Sequence, residues 1–237
     1  MEWILVFVVG VFAGVLSGIV GTGSSMILLP ILVFVFGAKA AVPMMAISAL
    51  LANAGRIVVW WSEIRWRAVL WYLALAVPGA ALGADTLIAI PETLGNLVLG
   101  GLLILLVPTR YVIRAHNIGS KPIHLLLAGG IIGFLTGLVA SSGPLSLAAF
   151  SSFGLVKTGL IATEAAASFF VFGSKVTTFN QLGAMSSQIL IDGAIVGGAV
   201  IVGTYGAKHI LQRMSVSSHD RVIDVVLLIA GLAIIFA

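Results

Sequence analysis

The chain has 237 residues, of which 60% are hydrophobic and only 8% charged, and a soluble domain of this size cannot cover its surface with so few charges. That excludes a water-soluble enzyme or binding module and leaves an integral membrane protein. The net charge of +4 matters only through where Lys and Arg fall, and the absence of cysteine excludes disulfides, thiolate metal sites and thiol relays for sulfur transfer.

Met1 to Val20 is apolar, lacks a basic leading region and an A-x-A cleavage site, and runs straight into further apolar sequence, so it reads as the first membrane helix. Within "GIVGTGSSMILLPIL" (Gly18 to Leu32) the run is then broken by Gly21, Thr22, Gly23, Ser24 and Ser25. A short apolar piece (Met26 to Phe36) follows, and then three long segments at Val42–Trp61, Ala68–Ile88 and Leu94–Ile113. The polar stretch "RAHNIGSKP" (Arg114 to Pro122) is the longest loop signal. Beyond it the order recurs: an apolar helix, a break at Ser141, Ser142 and Gly143, and a short piece (Leu145 to Leu155). Long segments at Leu160–Phe179, Ile189–Leu211 and Val222–Phe236 complete it. Apolar runs of about 20 residues suit helices that cross a bilayer, and the pattern excludes both a single anchor and a membrane barrel.

The recurrence extends to residues. "AGVLSGIVGTGSSMI" (Ala13 to Ile27) pairs with "IGFLTGLVASSGPLS" (Ile132 to Ser146), and "KAAVPMMAISALLANAGRIV" (Lys39 to Val58) with "KTGLIATEAAASFFVFGSKV" (Lys157 to Val176). Two matches in the same order imply one transmembrane domain made of two repeats, about 1–117 and 118–237. Lys and Arg in short loops set orientation. With the loops holding Arg65 and Arg67, then Arg110, Arg114 and Lys121, then Lys157, and then Lys208, Arg213 and Arg221 on the cytoplasmic side, nine of the twelve basic residues lie inside. Both termini then lie outside, and the Val42–Trp61 helix runs opposite to its partner Leu160–Phe179. The expected fold is therefore an all-α polytopic membrane protein with an inverted repeat, the architecture of many secondary transporters. Trp60, Trp61 and Trp66 flank the first basic loop as an interfacial belt would, whereas packing between helices suits Trp71 better.

A Gly/Ser run at membrane depth leaves backbone groups that hydrocarbon tolerates only where they line a cavity or meet a ligand. When a short helix restarts after the break, its free N–H groups and positive dipole end face the gap, which outlines an anion site. Thr22, Gly23, Ser24 and Ser25 supply donors in the first half. Ser141, Ser142 and Gly143 repeat them, with Pro144 suited to the restarting turn. The competing reading is close helix packing by small residues. Arg56 and Lys175 sit inside apolar segments, where a charge costs at least roughly 2.5–3.5 kcal/mol, and they fall at nearly matching places in the two halves. Asn53 lies one turn before Arg56, and Glu164, Ser168, Lys175 and Thr178 share a helical stripe. The competing reading has both cations snorkel to opposite interfaces. Glu164 is a candidate for proton coupling, a partner for Lys175, or a wetted residue near a helix start. Asp192 and Asp224 lie near segment ends and read as interfacial. His116, His124, His209 and His219 show no metal-site spacing, and no metal or cofactor is expected.

A polytopic chain whose halves each start with a small-residue helix, a Gly-rich break and a short segment, as in "GVLSGIVGTGSSMILLPIL", resembles the TauE/SafE (TSUP) family of sulfite exporters. Gly21, Gly23 and Pro30 match that family's G-x-G-G-G break and following proline, while Ser24 and Ser25 stand where glycines are usual. "GLVASSGPLSL" departs further and keeps Gly137 and Gly143. The resemblance implies secondary transport of sulfite, sulfonates or related small anions across a cytoplasmic membrane, generally outward. The expected partners are that anion, the lipid bilayer and a second copy of the chain, and no nucleic acid. Two rivals remain. A passive anion or small-solute channel shares every feature. A rhomboid-like intramembrane protease would use Ser142 in "ASSG", but its histidine base would have to be His209, which sits at a basic helix end.

Overall fold

The computed structural model describes residues 24–91, 121–138 and 143–211, together with separate helical positions within 7–15, 94–112 and 225–232. The expectations placed on Thr22, Gly23, Ser141, Ser142 and most of the linker fall outside the described residues. Every regular element among the described residues is helical. In order these are α1 (Ser24–Phe36), α2 (Ala38–Val59), a 3-10 turn (Trp61–Glu63) and α3 (Trp66–Ala89), then α4 (Pro122–Leu138), α5 (Gly143–Ser152), α6 (Lys157–Gln181) and α7 (Ser187–Leu211). Stretches long and apolar enough to cross a bilayer lie in α2, α3 and α6 (Lys39–Val58, Trp66–Ala89 and Gly159–Gln181), and α4 and α7 carry shorter apolar ones. The protein is thus an all-α polytopic membrane protein.

Both short helices start earlier than their apolar runs suggest. Ser24 and Ser25 form the first residues of α1, and Gly143 and Pro144 those of α5. Serine and proline suit a first turn, where backbone N–H groups have no partner inside the helix, so Ser24, Ser25 and Pro144 belong to the restarting helices. One residue, Gly37, joins α1 to α2. Its φ of 76° and ψ of 159° lie in a region open essentially to glycine alone, which is why so sharp a connection falls at this position. Four residues join α5 to α6, and the two helices pack as an antiparallel hairpin.

Between helices in lipid there is little hydrophobic drive, so close backbone approach and dispersion hold them together, and small residues permit both. Among the described residues the most extensive close contact is between α3 and α4, which run parallel. Gly129, Gly133 and Gly137, four residues apart on one face, lie on the carbonyls of Tyr72, Ala76 and Ala80, while Gly79 and Gly83 lie on those of Gly130 and Phe134. The same device recurs elsewhere: Gly10 meets Ala199, Gly14 meets the Val200 backbone, and Gly203 meets Val11 and Gly14. Further pairings follow the same reciprocal plan. Along α7, which is parallel to α2, Gly193 meets Met44 and Ile47, and Gly197 meets Ser48 and Leu51. Along α6, which is parallel to α3, Thr163 Oγ1 accepts from the Arg65 N–H at 3.0 Å, and the Ser174 hydroxyl donates to the Val77 carbonyl at 3.1 Å. The central pair, α2 and α6, is antiparallel, with Leu50 beside Gly173 and Arg56 beside Glu164. The offset that aligns Ala13 with Ile132 also aligns Gly10 with Gly129, Gly14 with Gly133 and Arg56 with Lys175.

Trp60, Trp61 and Trp66 are exposed around the Arg65 turn, with the rings of Trp61 and Trp66 edge to face at 5.3 Å. Trp71 is as exposed as Trp66 and faces outward. The buried stripe of α3 passes through Ala68, Val69, Tyr72, Ala76 and Ala80, and position 71 lies beside that stripe, not on it.

Candidate functional site

Glu164 is the carboxylate around which the polar residues gather. It lies in the second turn of α6 and is 2% exposed. Its Oε1 accepts hydrogen bonds from the Ser168 hydroxyl, one turn on, at 2.6 Å and from the Ser146 hydroxyl of α5 at 3.1 Å. Its Oε2 lies 3.7 Å from Arg56 Nη1 and has no hydrogen-bond partner among the described residues. The Arg56 side chain, in the last turn of α2, is 27% exposed, so the pair joins a buried anion to a cation that keeps contact with the outside. At 3.7 Å the contact is a Coulombic pair and not a charge-assisted hydrogen bond, which would close to about 2.7–2.9 Å.

Ser146 sits in the first turn of α5, the helix that restarts after the second break, and its single hydroxyl proton is shared between Glu164 Oε1 and the Gly143 carbonyl, at 3.1 and 3.0 Å. The Glu164 carboxylate therefore lies at the positive end of a short helix and beside a guanidinium, two features that favour negative charge. Asn53, one turn before Arg56, is buried, and its Oδ1 has no hydrogen-bond partner among the described residues. The tilted ring pair of Tyr72 and Phe150, 4.9 Å apart, ties α5 to α3 beneath this cluster.

Lys175 serves the other side of the same break. It is fully buried, and its ammonium donates to the Thr136 carbonyl at 2.7 Å and lies 5.6 Å from the centroid of the Phe179 ring. Thr136 is in the last turn of α4, where carbonyls lack an intrahelical partner and the helix dipole is negative, so a cation placed here compensates the exposed carbonyl end. On α6, Lys175 is eleven residues beyond Glu164, a rise of about 16 Å, which is too far for the two to pair along one helix. Arg56 takes the carboxylate instead. The two cations thus bracket the second break, Arg56 near the start of α5 and Lys175 at the end of α4.

Of the remaining predicted site residues, Thr178 turns its hydroxyl back to the Ser174 carbonyl at 3.0 Å within α6. Gly143 begins α5, and Ser24 and Ser25 begin α1. Asp192, near the start of α7 as its position in the sequence suggested, is buried and accepts from Gln188 at 2.7 Å. Sequence reasoning did not single out Ser146 or the Arg56–Glu164 pairing. The first was legible in principle, since a serine three residues after a break-terminating glycine falls within the restarting turn. The second needed the antiparallel pairing of α2 with α6.

The arrangement suits transient binding of an anion: a guanidinium with an outward path, a helix N-terminus with a hydroxyl, and a second cation on the far side of the break. A family model described as Sulfite exporter TauE/SafE matches residues 6–234. No curated protein and no solved structure matches the chain.

Proposed function

The chain belongs to the sulfite exporter TauE/SafE family, and from that premise we propose that it moves sulfite, an organosulfonate or a related small carboxylate or sulfur-containing anion across the cytoplasmic membrane by alternating access. The family is one of membrane transporters, and the site holds what such a function needs. One observation carries the reading: Arg56 and the first turn of α5 converge on a single buried carboxylate position next to a helix break. Arg56 supplies the countercharge. Asn53, Ser146 and the small polar residues Thr22, Gly23, Ser24, Ser25, Ser141, Ser142 and Gly143 of the two breaks supply uncharged donors and close backbone approach, while Lys175 and Thr178 hold the far side.

Two antiparallel copies of one unit, moving against each other around the breaks, provide the alternation. The reciprocal packing supports this division. α4 packs on α3, Gly10 and Gly14 of the first segment meet α7, and α2 and α6 meet antiparallel in the middle. With the basic loops inside, the Arg56–Glu164 pair lies toward the cytoplasmic end of α2 and α6, where an exporter loads its anion, and both termini are outside. A Ser142 protease finds no support in a transporter family, and a passive channel differs in kinetics alone.

The experiment is reconstitution in liposomes with labelled sulfite, sulfate, thiosulfate, taurine and sulfoacetate offered in turn. At least one sulfur oxyanion or sulfonate should enter in a saturable manner, at a rate well above that of protein-free vesicles. Failure of all five to be transported by the intact protein would remove the anion assignment.

A further inference from the structure

In this structure an anion already occupies the proposed site, and it belongs to the protein: the Glu164 carboxylate lies beside Arg56 and takes the Ser146 hydroxyl of the α5 start. A substrate anion needs those same partners. Two anions cannot share one guanidinium and one helix end at contact distance without strong repulsion, so substrate binding must release the carboxylate from Arg56. Glu164 is fixed on α6 and nine-tenths buried, so once released it is left as a buried charge without its cation. A proton removes that charge. Its Oε2, with no hydrogen-bond donor among the described residues, is the atom open to receive one, and the buried Asn53 Oδ1 on the helix that carries Arg56 is a further acceptor without a donor.

We propose that Glu164 is a tethered stand-in for the substrate, so that each monovalent anion bound at Arg56 is accompanied by one proton taken up on Glu164. The balance is simple. Before binding, the guanidinium and carboxylate sum to zero; after binding, the guanidinium and substrate sum to zero and the carboxyl group is neutral. Anion and proton then cross together, and the cycle moves no net charge.

The other charged and titratable groups around Glu164 do not substitute for this step. Arg56 is its partner from α2, and Tyr72 of α3 is a buried phenol within reach of its charge. Ser146 of α5 carries no charge, Lys175 on α6 itself is committed to the Thr136 carbonyl, and Glu63 in the adjoining turn is exposed.

This inference rests on the transporter reading, and the test separates the two. Proteoliposomes are given labelled methanesulfonate, a permanent monovalent anion that cannot carry a proton itself, with labelled sulfite beside it. Exchange of internal for external anion at equal pH reports the carrier. Accumulation under a pH gradient of one unit, acid outside, with the membrane potential clamped by potassium and valinomycin, reports coupling. The expected result is accumulation of methanesulfonate by about tenfold, unchanged when the clamp is moved, since one proton per anion makes the two gradients equal. In Glu164→Gln, accumulation relative to that variant's own exchange should lose its response to the pH gradient and follow the potential. Exchange without pH-driven accumulation in the unmodified protein, or accumulation that tracks the clamp, overturns the coupling and leaves the carrier intact. Absence of exchange for both anions overturns both. The measurement on the unmodified protein decides the matter even if Glu164→Gln does not fold, and Glu164→Asp, which keeps a titratable group, should retain the pH response.

Discussion

Arg56→Ala should lower the apparent affinity for the transported anion roughly thirtyfold or more, with little change in the amount of folded protein in the membrane. The size follows from removing one partner of a close charge pair, which costs about 2–5 kcal/mol, each 1.4 kcal/mol being about a factor of ten. The same change strips Glu164 of its cation. In a dry interior this would unfold a marginal protein, but Arg56 is partly exposed, and Glu164 keeps the Ser146 and Ser168 hydroxyls. Arg56→Lys should recover part of the loss, because it restores a point charge without the planar fork. Concentration dependence of initial uptake, set against the amount of protein by quantitative blotting, separates an affinity loss from a folding loss. If Arg56→Ala transported with unchanged affinity, the cation would have no part in binding.

Gly133→Val should have the opposite signature, abolishing folded protein rather than affinity. A Cβ at this position falls on the Ala76 carbonyl, and the backbones of α3 and α4 have no room to part without also losing the contacts at Gly129 and Gly137. Overpacking a close contact costs typically about 1–3 kcal/mol and here forces whole helices apart, so a loss of about 3 kcal/mol or more is expected. Size-exclusion profiles and thermal unfolding in detergent are the measurements. Gly198→Val on α7 is the control, because no atom lies within 4 Å of its added Cβ. Similar behaviour of the two variants would mean that small residues are not what holds α3 against α4.

Much of this was written into the chain. Apolar length located α2, α3, α6 and α7 to within a few residues, because helices in lipid must satisfy their backbone internally and so coincide with the hydrophobic runs. The glycine and serine clusters marked where α1 and α5 begin, though not that the serines lie inside the first turn. Matching positions in the two halves pointed to Arg56 and Lys175 as special, and both proved to be engaged near the second break. Their partners were not legible. Glu164 shares a helix and a stripe with Lys175, and only the antiparallel meeting of α2 with α6 brings Arg56 to it. Likewise, the contact of Lys175 with Thr136 uses a backbone carbonyl, which carries no signature in the sequence. Trp71 was misjudged for a related reason: a single aromatic residue between exposed Leu70 and buried Tyr72 does not reveal which face of a helix it takes.

The central claim, that a mobile site around Arg56 carries an anion across the bilayer, is tested most directly by counterflow. Vesicles loaded with millimolar unlabelled sulfite and diluted into a trace of labelled sulfite should take up label transiently above its equilibrium level with the unmodified protein, and only marginally with Arg56→Ala. Uptake that rises to equilibrium without an overshoot, or an overshoot of the same height in Arg56→Ala, would contradict it.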